Sequence, residues 1–199
     1  MIGPPTSRKG MDHIGVLIFS AAGIYAALAI MMGVIPGTVL SKSAPLAGTA
    51  PLTEAQARGR DVYVGEGCSY CHTQLVRPLA QDRVWGRASV AGDYAYDTPQ
   101  LLGTERTGPD LTNVGVRQPS VVWHSIHLYD PRAVVSESIM PAYPWLFVLK
   151  DKADPGDEVV TLPPGYAPAG KVVVATAKEQ DLVAYLISLK QAALPSPAP

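Results

Sequence analysis

The sequence predicts an all-α protein: a small helical domain carried on a single N-terminal transmembrane helix, with a small β-hairpin insert. Three observations lead there. An uncharged apolar run of membrane-crossing length extends from Ile14 to Ile35. Two Ser/Thr-x-x-Glu/Gln signatures, Thr53 to Gln56 and Thr176 to Glu179, open segments with apolar residues at helical spacing. Between them lies Gly67-Cys68-Ser69-Tyr70-Cys71-His72, a run whose chemistry organises the domain.

A polar head, residues 1–12, carries Arg8, Lys9 and Asp12. The transmembrane helix is assigned to 13–36 and is expected to stop at Pro36-Gly37. Its length favours a retained anchor over a cleaved signal, whose apolar core spans about 7–15 residues. Arg8 and Lys9 precede it and only Lys42 follows closely, which places the N-terminus in the cytoplasm and the following domain outside. Residues 37–52, rich in Gly, Pro, Ser and Ala, read as an extended tether.

The folded domain is assigned to 53–192. After the first capped helix comes a long irregular stretch, Thr73 to Thr107, then a turn at Gly108-Pro109-Asp110-Leu111. Ser120 caps a short helix that stops at Asp130-Pro131. Two β-branched runs, Val159 to Thr161 and Val172 to Val174, suggest the hairpin. The last helix carries Leu182, Tyr185, Leu186 and Leu189 as its stripe. Residues 193–199 form a flexible tail.

With 199 residues and a net charge of −1, nothing points to nucleic acid. Both cysteines fall in the central run, so none remains for a structural disulfide. Cys-x-x-Cys-His is the attachment site of a c-type haem: two thiols add to the porphyrin vinyl groups and the next residue gives its imidazole to the iron. A redox dithiol would want a βαβ setting, and a structural zinc would need four ligands. The reading is therefore one haem c, bound by Cys68, Cys71 and His72. A backbone carbonyl of the Gly108 to Leu111 turn is placed to accept the Nδ1 proton of His72. For the other axial position, Met140 in its Pro-bounded loop is preferred, with His124 and His127 as alternatives.

The runs Gly59 to Pro78, Arg106 to Leu111, His127 to Arg132 and Ser138 to Leu146 resemble the membrane-anchored mono-haem cytochrome c subunit of cbb3-type cytochrome oxidases, often called subunit II. That resemblance implies a class I cytochrome c fold in which the first and last helices cross near the haem, at Gly59 and Tyr185. It implies axial ligands His72 and Met140, with Pro109 supporting His72. It further implies partners: an integral-membrane haem-copper oxidase subunit, a cytochrome c donor (another subunit or a soluble protein), and membrane lipid. On this reading the chain is a non-catalytic electron-transfer subunit in the bacterial inner membrane. A nitric oxide reductase subunit and a solitary anchored carrier are the alternatives. The likeness weakens at Trp85 to Ser89 and after Trp145.

Overall fold

The N-terminal helix has to accommodate Pro36, and it does so by changing its hydrogen-bond step. In the computed structural model, which describes residues 8–103 and 105–194, α1 (Arg8–Ala29) passes through a π-helical turn (Ile30–Val34) into α2 (Ile35–Leu40). The Ile35 N–H reaches Ile30 O, five residues back. This wider turn puts Pro36 in the first turn of α2, where its missing N–H costs nothing. The expectation that Pro36-Gly37 stops the helix is thus corrected, and the helix continues to Leu40. His13–Val39, 27 residues, is long and apolar enough to cross a membrane, its rise being about 40 Å. The start of the head and the end of the tail, residues 1–7 and 195–199, lie outside the described residues.

The chain divides after Ala44 into two units. In the second, residues 45–52 do not hang free: Leu46 N–H donates to Gly92 O at 3.3 Å, and Leu52 packs against the core.

The core is built on the crossing of α3 (Glu54–Gly65) and α6 (Ala177–Ser188). α3 starts with a complete capping box: Gln56 N–H donates to Thr53 Oγ1 and Thr53 N–H to Gln56 Oε1. Gly59 lets the helices touch, since a Cβ there would lie 1.9 Å from Asp181 O. Tyr63 and Tyr185 then meet edge to face, centroids 5.5 Å apart, both fully buried. At the start of α6, Thr176 Oγ1 accepts from Glu179 N–H at 3.3 Å. Glu179 itself turns inward, buried and with Oε1 unpartnered.

Two shorter helices, α4 (Val114–Arg117) and α5 (Val121–Tyr129), pack on α6. Ser120 caps α5 by accepting from Trp123 N–H at 3.2 Å, as its sequence predicts. The hairpin differs from expectation. Its first strand is β1 (Phe147–Lys150), paired antiparallel with β2 (Val172–Ala175), Phe147 opposite Ala175. Val159 to Thr161 contributes only a bridge, Val159 to Val174. Phe147 decides the pairing: its buried ring stands edge-on to Tyr129 at 5.3 Å and fixes β1 to the core.

The stretch from Thr73 to Thr107 contains two 3-10 turns, Ala80–Val84 and Ala91–Tyr94. Buried carboxylates hold it. Asp82 accepts from Arg77 Nε at 2.9 Å and pairs with Arg106 Nη1 at 2.7 Å, and hydrogen bonding first to Arg77 holds its carboxyl well below the usual range. Asp110, fully buried, accepts from Thr73 Oγ1 at 2.6 Å, Leu75 N–H at 2.9 Å and Thr112 N–H at 2.9 Å. Asp110 thereby ties the chain just after His72 to the Gly108 to Leu111 turn.

Candidate haem site

Between α3, α5, α6 and the Ser138 to Tyr143 loop lies a cavity of about 520 Å³, within the roughly 300–1,000 Å³ of small-molecule and cofactor sites. Cys68, Cys71, His72, Pro109 and Met140, all five residues singled out from the sequence, line it. Most of the remaining wall is apolar, including Leu111, Val114, Leu128, Leu182 and Leu186.

The end of α3 delivers the cysteines. Gly67 adopts φ 75°, the left-handed conformation that a side chain disfavours, and the chain then turns through a 3-10 segment, Cys68–Tyr70. The two thiols are not joined to each other. Burial pushes the Cys68 thiol up to about 12. That is the reverse of a redox dithiol, whose attacking thiol has a lowered pKa.

His72 is fixed by the opposite wall. Its Nδ1 lies 2.7 Å from Pro109 O, and because a carbonyl only accepts, Nδ1 carries the proton. The lone pair of the neutral ring is therefore on Nε2, the nitrogen left for a metal. Burial lowers the pKa of His72, against the hydrogen bond to Pro109 O and the field of Asp110. Gly108 makes room for the ring: a Cβ there would sit 2.3 Å from His72 Cε1. This was not foreseen from the sequence, where the glycine reads as an ordinary turn residue.

Met140 is part-buried against the core. Arg132 Nη1 holds its loop, donating to Ser138 O at 3.0 Å and Met140 O at 3.2 Å. Of the two alternative ligands, His124 is engaged through Nε2 with Gln118 O at 2.8 Å. His127 stacks on Trp123, rings 4.6 Å apart, and its buried Nδ1 has no partner among the described residues. A cavity with two thiols on one wall, an imidazole of fixed tautomer, a thioether and an apolar lining fits a haem attached through its edge.

The model of a family described as cytochrome c oxidase, mono-heme subunit/FixO, matches residues 9–161. The chain belongs to this family. As a mono-haem oxidase subunit it binds one haem, serves electron transfer, and works beside a catalytic oxidase subunit. The helical domain is then a cytochrome c domain, and the apolar N-terminal helix suits the membrane anchor of such a complex. The match spans the membrane-length helix and Cys68, Cys71, His72, Pro109 and Met140, and stops before β2 and α6, the helix that closes the cavity with Leu182 and Leu186. No curated protein matches the chain.

Proposed function

We propose that the chain is the electron-relay subunit of a cbb3-type terminal oxidase, carrying one c-type haem between a cytochrome c donor and the haem-copper subunit. The convergence of Cys68, Cys71, His72 and Met140 on one cavity is the observation that carries this reading. A haem bound there supplies reversible one-electron chemistry. Cys68 and Cys71 would hold it through thioether links, and His72 Nε2 and the Met140 sulfur would ligate its iron.

Each surrounding group has a task in that arrangement. Pro109 O holds the imidazole proton and orients the ring. Arg132 holds the Met140 loop through the Ser138 and Met140 carbonyls, which would keep the thioether in place for an iron whose ferrous state it would favour. With His72 and Met140 both holding the iron, no position would be left for oxygen, and that chemistry would belong to the partner. The same reading puts the N-terminus in the cytoplasm and the haem domain on the outer side of the bacterial inner membrane.

His127 supports a second reading for the distal ligand alone, because it lines the cavity with an unpartnered nitrogen. Replacement Met140→His tests the assignment: a low-spin spectrum with a lowered potential is expected, and an unchanged potential and spectrum would exclude Met140. Gentle detergent extraction followed by identification of co-purifying chains tests the complex. A haem-copper subunit is expected, whereas purification as a lone chain would refute the oxidase role.

A further inference from the structure

Among the arginines of the described residues, Arg117 alone lines the cavity, and the others near the His72 and Met140 segments are otherwise engaged. Arg77 and Arg106 are consumed by Asp82 and Asp110. Arg132 pairs with Asp130 and spans the carbonyls of the Met140 loop. Arg117, at the end of α4, lines the cavity itself and has no carboxylate within ion-pairing distance among the described residues. Its contacts are uncharged: the Asp110 carbonyl accepts from Nη2, and the guanidinium lies 4.8 Å from the centre of the Trp85 ring. Trp85 is itself held, its carbonyl accepting from Asn113 Nδ2 at 2.8 Å. The Arg117 side chain is thus solvent-accessible at the cavity wall and oriented by stacking, with no paired carboxylate among the described residues.

A second group that lines the cavity lacks a hydrogen-bond partner among the described residues. His127 Nδ1 is buried with no partner, while its ring is stacked on Trp123. α5 reaches back toward the end of α4 through His124 Nε2 and Gln118 O, and Gln118 also lines the cavity. Burial lowers the pKa of Arg117, against the field of Asp110, whose carboxylate is engaged by Thr73, Leu75 and Thr112.

We propose that Arg117, oriented by Trp85, and the unpartnered Nδ1 of His127 anchor the carboxylates of the cavity's occupant, which on the haem reading are its propionates. The proposal rests on that reading. A guanidinium fork suits a carboxylate, and a desolvated N–H donor satisfies one. The pair would fix which end of the macrocycle points toward α4 and would favour the reduced iron by placing positive charge nearby.

The test uses the full-length protein in detergent with covalent haem confirmed by retention through denaturation, and reads the reduction potential across about pH 5 to 8. The variant Arg117→Gln should lower the reduced-to-oxidised ratio at fixed ambient potential by about tenfold at neutral pH, about 59 mV for one electron. Its potential should climb again at acid pH as the unpaired carboxylate protonates, while the wild type stays flatter. The other titratable groups of the wall, His72, His124, Glu137, Tyr63, Tyr143 and the cysteines, are common to both proteins. A step seen only in the variant therefore belongs to the propionate.

Arg117→Lys should recover most of the potential, and His127→Phe, which keeps the ring stack, should give a smaller shift in the same direction. Arg83→Gln, an exposed arginine on the Ala80–Val84 turn, should change neither. An Arg117→Gln potential and pH profile equal to wild type, or a shift matched by Arg83→Gln, would overturn the anchor. If Arg117→Gln does not fold, an unshifted His127→Phe would overturn it instead. Absence of covalent haem from the wild type would overturn the haem reading and is distinguishable from both.

Discussion

Replacing Gly59 by Ala sets two physical effects of opposite sign against each other. In a helix interior Ala is favoured over Gly by about 1 kcal/mol, so local propensity alone predicts a more stable α3. The new Cβ, however, would lie 1.9 Å from Asp181 O, 2.5 Å from Asp181 C and 2.9 Å from Tyr185 Cβ. Ordinary contact begins near 3.4 Å, so relief from the carbonyl oxygen requires 3.4 − 1.9 = 1.5 Å of separation. The obstructing atoms are mainly backbone, and no rotamer change removes them. Overpacking of this kind costs about 1–3 kcal/mol, and parting Tyr63 from Tyr185 forfeits a further contact of about 0.5–1.5 kcal/mol. Net destabilisation of about 0.5–3.5 kcal/mol, centred near 2 kcal/mol, is expected. Thermal unfolding of the haem-loaded protein, followed by near-ultraviolet circular dichroism, should show a fall in Tm of about 5–10 °C. Gly65→Ala is the control, because nothing lies within 4 Å of its Cβ position. That variant should be neutral or gain up to about 1 kcal/mol. A Gly59→Ala protein as stable as its Gly65→Ala counterpart would refute the claim that the α3 and α6 crossing depends on the missing side chain.

Three further outcomes are expected. Cys68→Ala or Cys71→Ala should lose covalent haem retention in denaturing gels, and full retention in both would contradict thioether attachment at these residues. Gly108→Ala should displace the His72 ring from Pro109 O, since the added Cβ falls 2.3 Å from Cε1; a low-spin spectrum and potential identical to wild type would show the ring is not confined there. Met140→Ala should open one axial position, so that the reduced protein binds carbon monoxide; failure to bind would point to another ligand, such as His127.

Local signals in the chain foretold much of this architecture. Thr53, Ser120 and Thr176 cap the helices at the residues their spacing marks, because a cap is settled within four consecutive positions. The cavity residues were legible for a related reason: Cys68, Cys71 and His72 are adjacent in sequence. What escaped depends on contacts between distant segments. Phe147, and not the Val159 run, opens the strand paired with β2 because its ring finds Tyr129, which no local pattern encodes; Val159 adds only a bridge. Among the arginines, charge and spacing are alike, and only the folded positions of Asp82 and Asp110 reveal that Arg77 and Arg106 are taken. The order in the Thr73 to Thr107 stretch has the same origin, since two buried carboxylates do there what backbone ladders do elsewhere.

Glu179 carries a consequence for pH that the haem does not enter. Burial, reinforced by the field of Glu158, pushes its carboxyl up to about 7 from an ordinary 4.5. Because the folded value is raised, the protonated form is the one the fold accommodates. Stability from this residue is complete below pH 4.5 and is lost as pH rises through about 7. The gap corresponds to a loss of roughly 3 kcal/mol, accumulating over that interval and level above it. Glu179→Gln keeps the shape and removes the charge, so its unfolding free energy should be flatter over the same interval and exceed wild type above neutral pH. Denaturant titrations at several pH values decide the matter. Equal slopes for the two proteins would mean that Glu179 is ionised at no cost in the fold, and that its unpartnered oxygen is matched by something other than a proton.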